Sequence, residues 1–151
     1  MAVKSTFKAI ESTFWSVDVL VNNSGTAHTE YAVNESFESF WKVTEVNFKG
    51  TMLCTYKALP RMAEQKSGCI INMASRAAGV DMPKSISYGA SKVPVAHAAA
   101  SLQEEFNFLG LGQSLHTYCL HPGGLWGGMI RSKCRFSKIY IMVPSLTLEH
   151  A

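Results

Sequence analysis

Three short apolar runs, at residues 17–21, 69–74 and 115–120, alternate with longer stretches of helical periodicity, and this alternation limits the possible folds most. An apolar run of five or six residues bounded by turn signals suits a strand covered on both faces. Ahead of the first run, Phe7, Ile10, Phe14 and Trp15 set an amphipathic helix over residues 5–15. After it, residues 22–34 read as loop. From Ser36 a helical face follows through Phe37, Phe40, Trp41, Thr44 and Phe48, continuing with Met52, Thr55, Leu59 and Met62 until Ser67-Gly68 closes it. Residues 79–87 read as loop, and an alanine-rich helix over 87–108 is stopped by Gly110 and Gly112. Pro94 removes the bond to the Ala90 carbonyl and predicts a kink just past Lys92. Parallel strands need a long crossover, so this order predicts an α/β fold with a parallel sheet and right-handed connections. At 151 residues the chain fits one domain with a sizeable core.

Within that frame, Tyr88-Gly89-Ala90-Ser91-Lys92 carries the chemistry. A tyrosine and a lysine four apart share one face of a helix. There an ammonium can sit near the phenol and lower its pKa from about 10. Ser75, thirteen residues before the tyrosine, arrives from the end of the second strand and can reach the same substrate oxygen. Such a trio is a proton-transfer site for a carbonyl or an alcohol. The spacing alone is weakly specific, and an ordinary half-exposed helix pair is its bland alternative.

The surrounding segments sharpen the reading. Val17-Asp18-Val19-Leu20-Val21-Asn22-Asn23-Ser24-Gly25 resembles the strand and loop of the short-chain dehydrogenase/reductase family, with serine where alanine is usual. Ile70-Ile71-Asn72-Met73-Ala74-Ser75 resembles that family's serine strand. Asn47 falls in the intervening helix, where the family keeps an asparagine, and Pro122-Gly123 follows the third strand in the family's manner. The likeness covers roughly residues 5–128. It implies a partial doubly wound, Rossmann-like parallel sheet of three-layer α/β/α type, with the family's first strands missing. It also implies catalytic roles for four residues. Tyr88 is the acid in reduction and the base in oxidation, and Lys92 tunes it and holds the nicotinamide ribose. Ser75 orients the substrate oxygen, and Asn47 supports a proton-relaying water. Asn22, Gly25, Tyr88, Lys92, Pro122, Gly123 and Leu125 are the implied contacts to NAD or NADP, with no preference legible between the two. Where the family places a threonine two residues after Leu125, this chain has Gly127.

The glycine-rich turn on which that family rests a pyrophosphate is not found. Gly110, Gly112, Gly123, Gly124, Gly127 and Gly128 do not spell G-x-G-x-x-G at a strand-to-helix junction. The acidic residue expected roughly twenty positions later is missing with it. The expectation is therefore a chain corresponding to the middle and later part of a dehydrogenase, with a weak or lost hold on the dinucleotide. Residues 1–128 read as an incomplete Rossmann-like domain and 129–151 as a divergent basic tail, in which residues 138–144 suit a strand without an assigned place.

Composition adds exclusions. A net charge of +3 does not argue for nucleic acid, although Arg131, Lys133, Arg135 and Lys138 cluster in a stretch without acids. A solvated basic tail is the simpler reading of that run. Cys54, Cys69, Cys119 and Cys134 have neither CxxC nor ligand-like spacing, and the first three read as small buried hydrophobes in a reducing, cytoplasmic compartment. Glu11 and Asp18 interrupt any signal-like apolar run, and no stretch approaches the roughly 20 residues of a membrane span. The five histidines are scattered and read as structural or solvent-facing, so no metal site is expected.

The function expected is an NAD(P)-dependent oxidoreductase for a carbonyl/alcohol pair, with a small-molecule substrate. A homo-oligomer formed through the helices of Asn47 and Tyr88 is expected too, aided by the small side chains of Ala96, Ala98, Ala99 and Ala100. The rival reading is a shortened, catalytically silent relative serving as a binding or oligomerising subunit, or a gene-model fragment. In either case the 17–21 strand, central in the family's sheet, is expected to become an edge that invites self-association.

Overall fold

The computed structural model describes residues 2–14 and 16–123, so the expected tail at 129–151 lies outside the described residues. In chain order the elements are α1 (Ala2–Phe14), β1 (Val19–Asn22), α2 (Phe37–Thr44), a π-turn (Glu45–Lys49) and α3 (Gly50–Gln65). Then come β2 (Gly68–Met73), a 3-10 turn (Arg76–Ala78), α4 (Ile86–Phe108) and β3 (Leu115–Leu120). The three strands are parallel and lie in sequence order, β1-β2-β3. Val19 stands opposite Cys69 and Gly68 opposite Leu115, which levels Asn22, Asn72 and Cys119 at the carboxyl end of the sheet. Ligand sites of open α/β sheets form at that end.

Phe7 of α1, Ala58 and Met62 of α3, Ile70 of β2, Phe106 of α4 and Leu115 of β3 form one core, so the three helices meet on the same face of the sheet. The opposite face, reached by the alternate side chains, leaves Val19, Tyr118 and Leu120 exposed among the described residues. No described helix is long and apolar enough to cross a membrane, and no described group of three acidic, histidine or cysteine side chains can hold a metal ion.

Two helical faces differ from expectation. In α1 only Phe7 enters the core, while Phe14, in the final turn beyond it, is 73% exposed. In the long helical stretch, the buried stripe is Val43, Asn47, Thr51, Thr55, Ala58 and Met62 rather than the aromatic one. Phe37 and Trp41 lie on the outside, stacked at 6.1 Å between ring centroids. The polar members can be buried because each finds a hydrogen-bond partner. Thr51 donates to the Asn47 carbonyl at 2.8 Å, and Thr55 accepts from Asn22 at 3.0 Å. Hydrophobic periodicity weighs side chains by apolarity and cannot see such pairing. Cys119 also departs from the buried role expected of it, being exposed at the end of β3. α4 remains helical through Pro94.

Candidate active site

The sequence elements proposed for catalysis converge beyond the carboxyl ends of β2 and β3. Asn47 occupies the π-turn, where the Gly50 N–H reaches the Glu45 carbonyl five residues back. Wide turns of this kind are rare and concentrate at functional sites. The Asn47 side chain is fully buried. Its amide nitrogen donates to the Thr26 carbonyl and to Ser91 Oγ, each at 2.8 Å, and its oxygen accepts the Thr26 N–H at 2.7 Å. Asn47 thereby fastens the loop after β1 to α4. Gly25 makes the approach possible. A Cβ there would stand 3.2 Å from Asn47 Oδ1 and 3.5 Å from Lys92 Nζ.

Lys92 is buried, and its ammonium donates to the Met73 carbonyl at 2.8 Å. The same nitrogen lies 5.8 Å from the centre of the Tyr88 ring. Desolvation lowers the Lys92 pKa from its ordinary 10.5, opposed by the charge of a Cys119 thiolate. Among the described residues no carboxylate pairs with Lys92. Ser91 completes the helix turn by donating to the Tyr88 carbonyl at 2.7 Å. The tyrosine-to-lysine turn is thus tied to Asn47 through Ser91 and to β2 through Met73.

Ser75 leaves β2 in extended conformation and caps the 3-10 turn, its hydroxyl accepting the Ala77 N–H at 3.2 Å. Gly89 lets α4 lie against this turn, since a Cβ at 89 would come within 3.0 Å of the Ala77 carbonyl. Tyr88 and Ser75, both half-buried, therefore flank the same corner. Partial burial pushes the Cys119 thiol up, while Lys92 pulls it down.

The implied cofactor contacts divide differently. Gly25, Tyr88 and Lys92 belong to the cluster just described. Pro122 and Gly123 are exposed beyond β3, with Gly123 at a φ of 75°, a left-handed conformation suited to glycine. Asn22 is buried, and its amide donates to Thr55 at 3.0 Å and Asn72 at 2.9 Å, clamping β1 to α3 and β2. Leu125 lies outside the described residues. Thr26, Thr51, Ser91 and His121 are structural members of the site that sequence reading passed over. Only Ser91, inside the tyrosine-to-lysine motif, had a local signal.

Comparison with known proteins agrees with this architecture. Residues 1–133 match the family described as short chain dehydrogenase. The chain is 35% identical over 109 residues to a 3-oxoacyl-[acyl-carrier-protein] reductase of Staphylococcus aureus, covering 72% of this chain and 44% of that protein. It is 37% identical over 111 residues to human dehydrogenase/reductase SDR family member 7, covering 74% of this chain and 30% of the relative. A short-chain dehydrogenase structure from Streptomyces avermitilis superposes with a TM-score of 0.76 at 20% identity, over 85% of this chain and 46% of that one. The chain thus spans less than half the length of these relatives. By sequence and by fold, it belongs to the short-chain dehydrogenase family.

Proposed function

We propose that this chain carries the proton-transfer centre of an NAD(P)-dependent oxidoreductase acting on a carbonyl/alcohol pair. The observation that carries the reading is the buried Lys92 ammonium, held between the Met73 carbonyl and the Tyr88 ring. A lysine kept from carboxylates in this way directs its charge toward the phenol. Tyr88 gives its proton to the substrate oxygen in reduction and takes it in oxidation. Ser75 orients that oxygen from the turn opposite, and Asn47 holds the π-turn and the loop after β1 at the spacing the site needs. The names of the bacterial relatives, reductases of 3-oxoacyl groups, support a carbonyl as the oxidised partner.

The nicotinamide side of the site suits the cofactor. Gly25 leaves room beside Lys92, and Gly123 presents backbone beyond β3. NAD or NADP supplies the hydride acceptor or donor when bound. Tyr88, Lys92, Gly25, Pro122 and Gly123 are the described residues that would hold it, with the cytosol as the expected compartment.

The open margin of β1 among the described residues favours the second reading, a silent binding or oligomerising subunit. Isothermal titration with NADH and NADPH separates the two. A Kd on the order of micromolar supports the enzyme, and absence of heat up to roughly millimolar cofactor supports the subunit. In an active preparation, Tyr88→Phe is expected to lower turnover by at least about 100-fold with the fold intact. Retention of more than a few per cent of the rate would remove Tyr88 from its role. The exposed Phe37, Trp41 and Tyr56 further support a dimer formed through the α2–α3 and α4 surfaces. Light scattering at tens of micromolar should give at least twice the chain mass.

A further inference from the structure

Ser75 is bracketed by hydrogen bonds on both sides. Before it, Lys92 holds the Met73 carbonyl at 2.8 Å, and the Ala74 N–H donates to the Leu120 carbonyl at 2.8 Å. After it, the Arg76 N–H donates to Nδ1 of His121 at 3.2 Å. The second bond joins two backbone groups that do not titrate, and the Lys92 nitrogen, its pKa lowered by burial, can donate whether charged or neutral. The third ends on an exposed imidazole, and it places the proton of the neutral ring on Nε2.

From this geometry we infer that His121 is a positioning residue for Ser75, acting as a latch that holds the serine turn when neutral and releases it when protonated. It deepens the oxidoreductase reading and rests on it for its catalytic meaning. A proton on Nδ1 turns the acceptor into a donor facing another donor, so the bond to Arg76 is lost. With it goes the tie between β3 and the turn whose first residue Ser75 caps. His121 also immediately precedes Pro122 and Gly123, so the same ring couples the serine turn to the backbone beyond β3. The titratable and charged groups on the elements that meet here are Arg76 on the turn, His116, Tyr118 and Cys119 on β3, and Tyr88, Lys92, His97, Glu104 and Glu105 on α4.

The test uses the full isotope-labelled chain and two variants, His121→Asn and His121→Ala. Nuclear magnetic resonance follows the His121 ring and the Arg76 and Ala77 amides as pH falls. The expected result is one shared midpoint, with the hydrogen-exchange protection of Arg76 falling roughly tenfold, as for one lost hydrogen bond. His121→Asn keeps an acceptor oxygen that cannot be protonated in this range, so it should preserve the protection and abolish the pH step. His121→Ala should lose the protection at every pH. With turnover, His121→Ala should lower kcat, and His121→Asn should restore it and remove the acid limb contributed by the ring. An Arg76 amide indifferent to the titration of His121 would overturn the latch, as would full turnover in His121→Ala. A shared midpoint in a chain that neither binds cofactor nor turns over substrate would keep the latch and sink the oxidoreductase reading.

Discussion

Around Asn47 and Lys92, buried polar side chains tie together the π-turn, the loop after β1, β2 and α4, whereas along β1 an apolar groove of about 210 Å3 stands open. The groove is lined by Val3, Phe7 and Ile10 of α1, by Val21 of β1, and by Leu53 and Cys54 of α3. Among the described residues β1 hydrogen-bonds to β2 alone, and Val19 is 56% exposed. The corner around Asn47 and Lys92 is therefore self-contained, because each of these bonds joins two segments of this chain. The β1 margin is not, since an edge strand presents a row of unpaired N–H and C=O groups. A bonded corner and an open sheet edge coexist among the described residues because hydrogen bonds at the corner act over a few ångströms, whereas a sheet edge is satisfied only by a whole further strand.

The largest test of the self-contained corner is Asn47→Ala. It leaves the Thr26 N–H and carbonyl and the Ser91 hydroxyl without their partner at a fully buried site. A loss of about 3 kcal/mol in urea unfolding is expected. A loss under about 1 kcal/mol would mean that the corner repacks and is not held by this side chain.

The β1 margin is tested by adding charge to it. Wild-type chain is expected to self-associate, with a mass that rises with concentration in light scattering. Val19→Lys should shift the population toward smaller species, while unfolding free energy changes by about 0.5 kcal/mol or less, since Val19 is mostly exposed. Strong hydrogen-exchange protection of the outward-facing β1 amides in a monomer would show that another segment covers the edge.

Lys92 gives a pH signature. Its folded pKa is lowered by burial, so the unfolded chain binds more protons between that value and 10.5. Stability contributed by this group therefore rises with pH across the window, is complete above 10.5, and is lost as pH falls through the lowered pKa. Lys92→Met should flatten the profile relative to wild type, as read from urea midpoints. An unchanged slope would mean that the ammonium is better solvated than its burial implies.

The smallest effect is expected at Ser87, whose buried hydroxyl has no hydrogen-bond partner among the described residues. Ser87→Ala should be neutral or stabilising by up to about 1 kcal/mol in thermal or urea unfolding, because an unmet polar group is removed. A clear loss would reveal that the hydroxyl is bonded in solution.

Much of the fold was legible in the sequence because parallel strands buried in an α/β sheet carry continuous apolar runs, and turn residues bound them. β3 emerged at Leu115–Leu120 as expected, while β1 and β2 shifted by one or two residues, since apolarity does not mark where ladder bonds begin. The spacing of Tyr88 and Lys92 and the position of Ser75 were likewise written locally, because a helix turn and a strand end are short-range objects. Tertiary structure alone decided the rest. It turned Phe37 and Trp41 outward and buried Asn47, because a polar side chain becomes a good core residue only when partners from distant segments arrive. It opened the helix into a π-turn at Asn47, engaged Asn22 as a clamp, and set His121 against Arg76, forty-five residues away in the chain. None of these pairings has a sequence period, and each exists only once the sheet has brought its strand ends level.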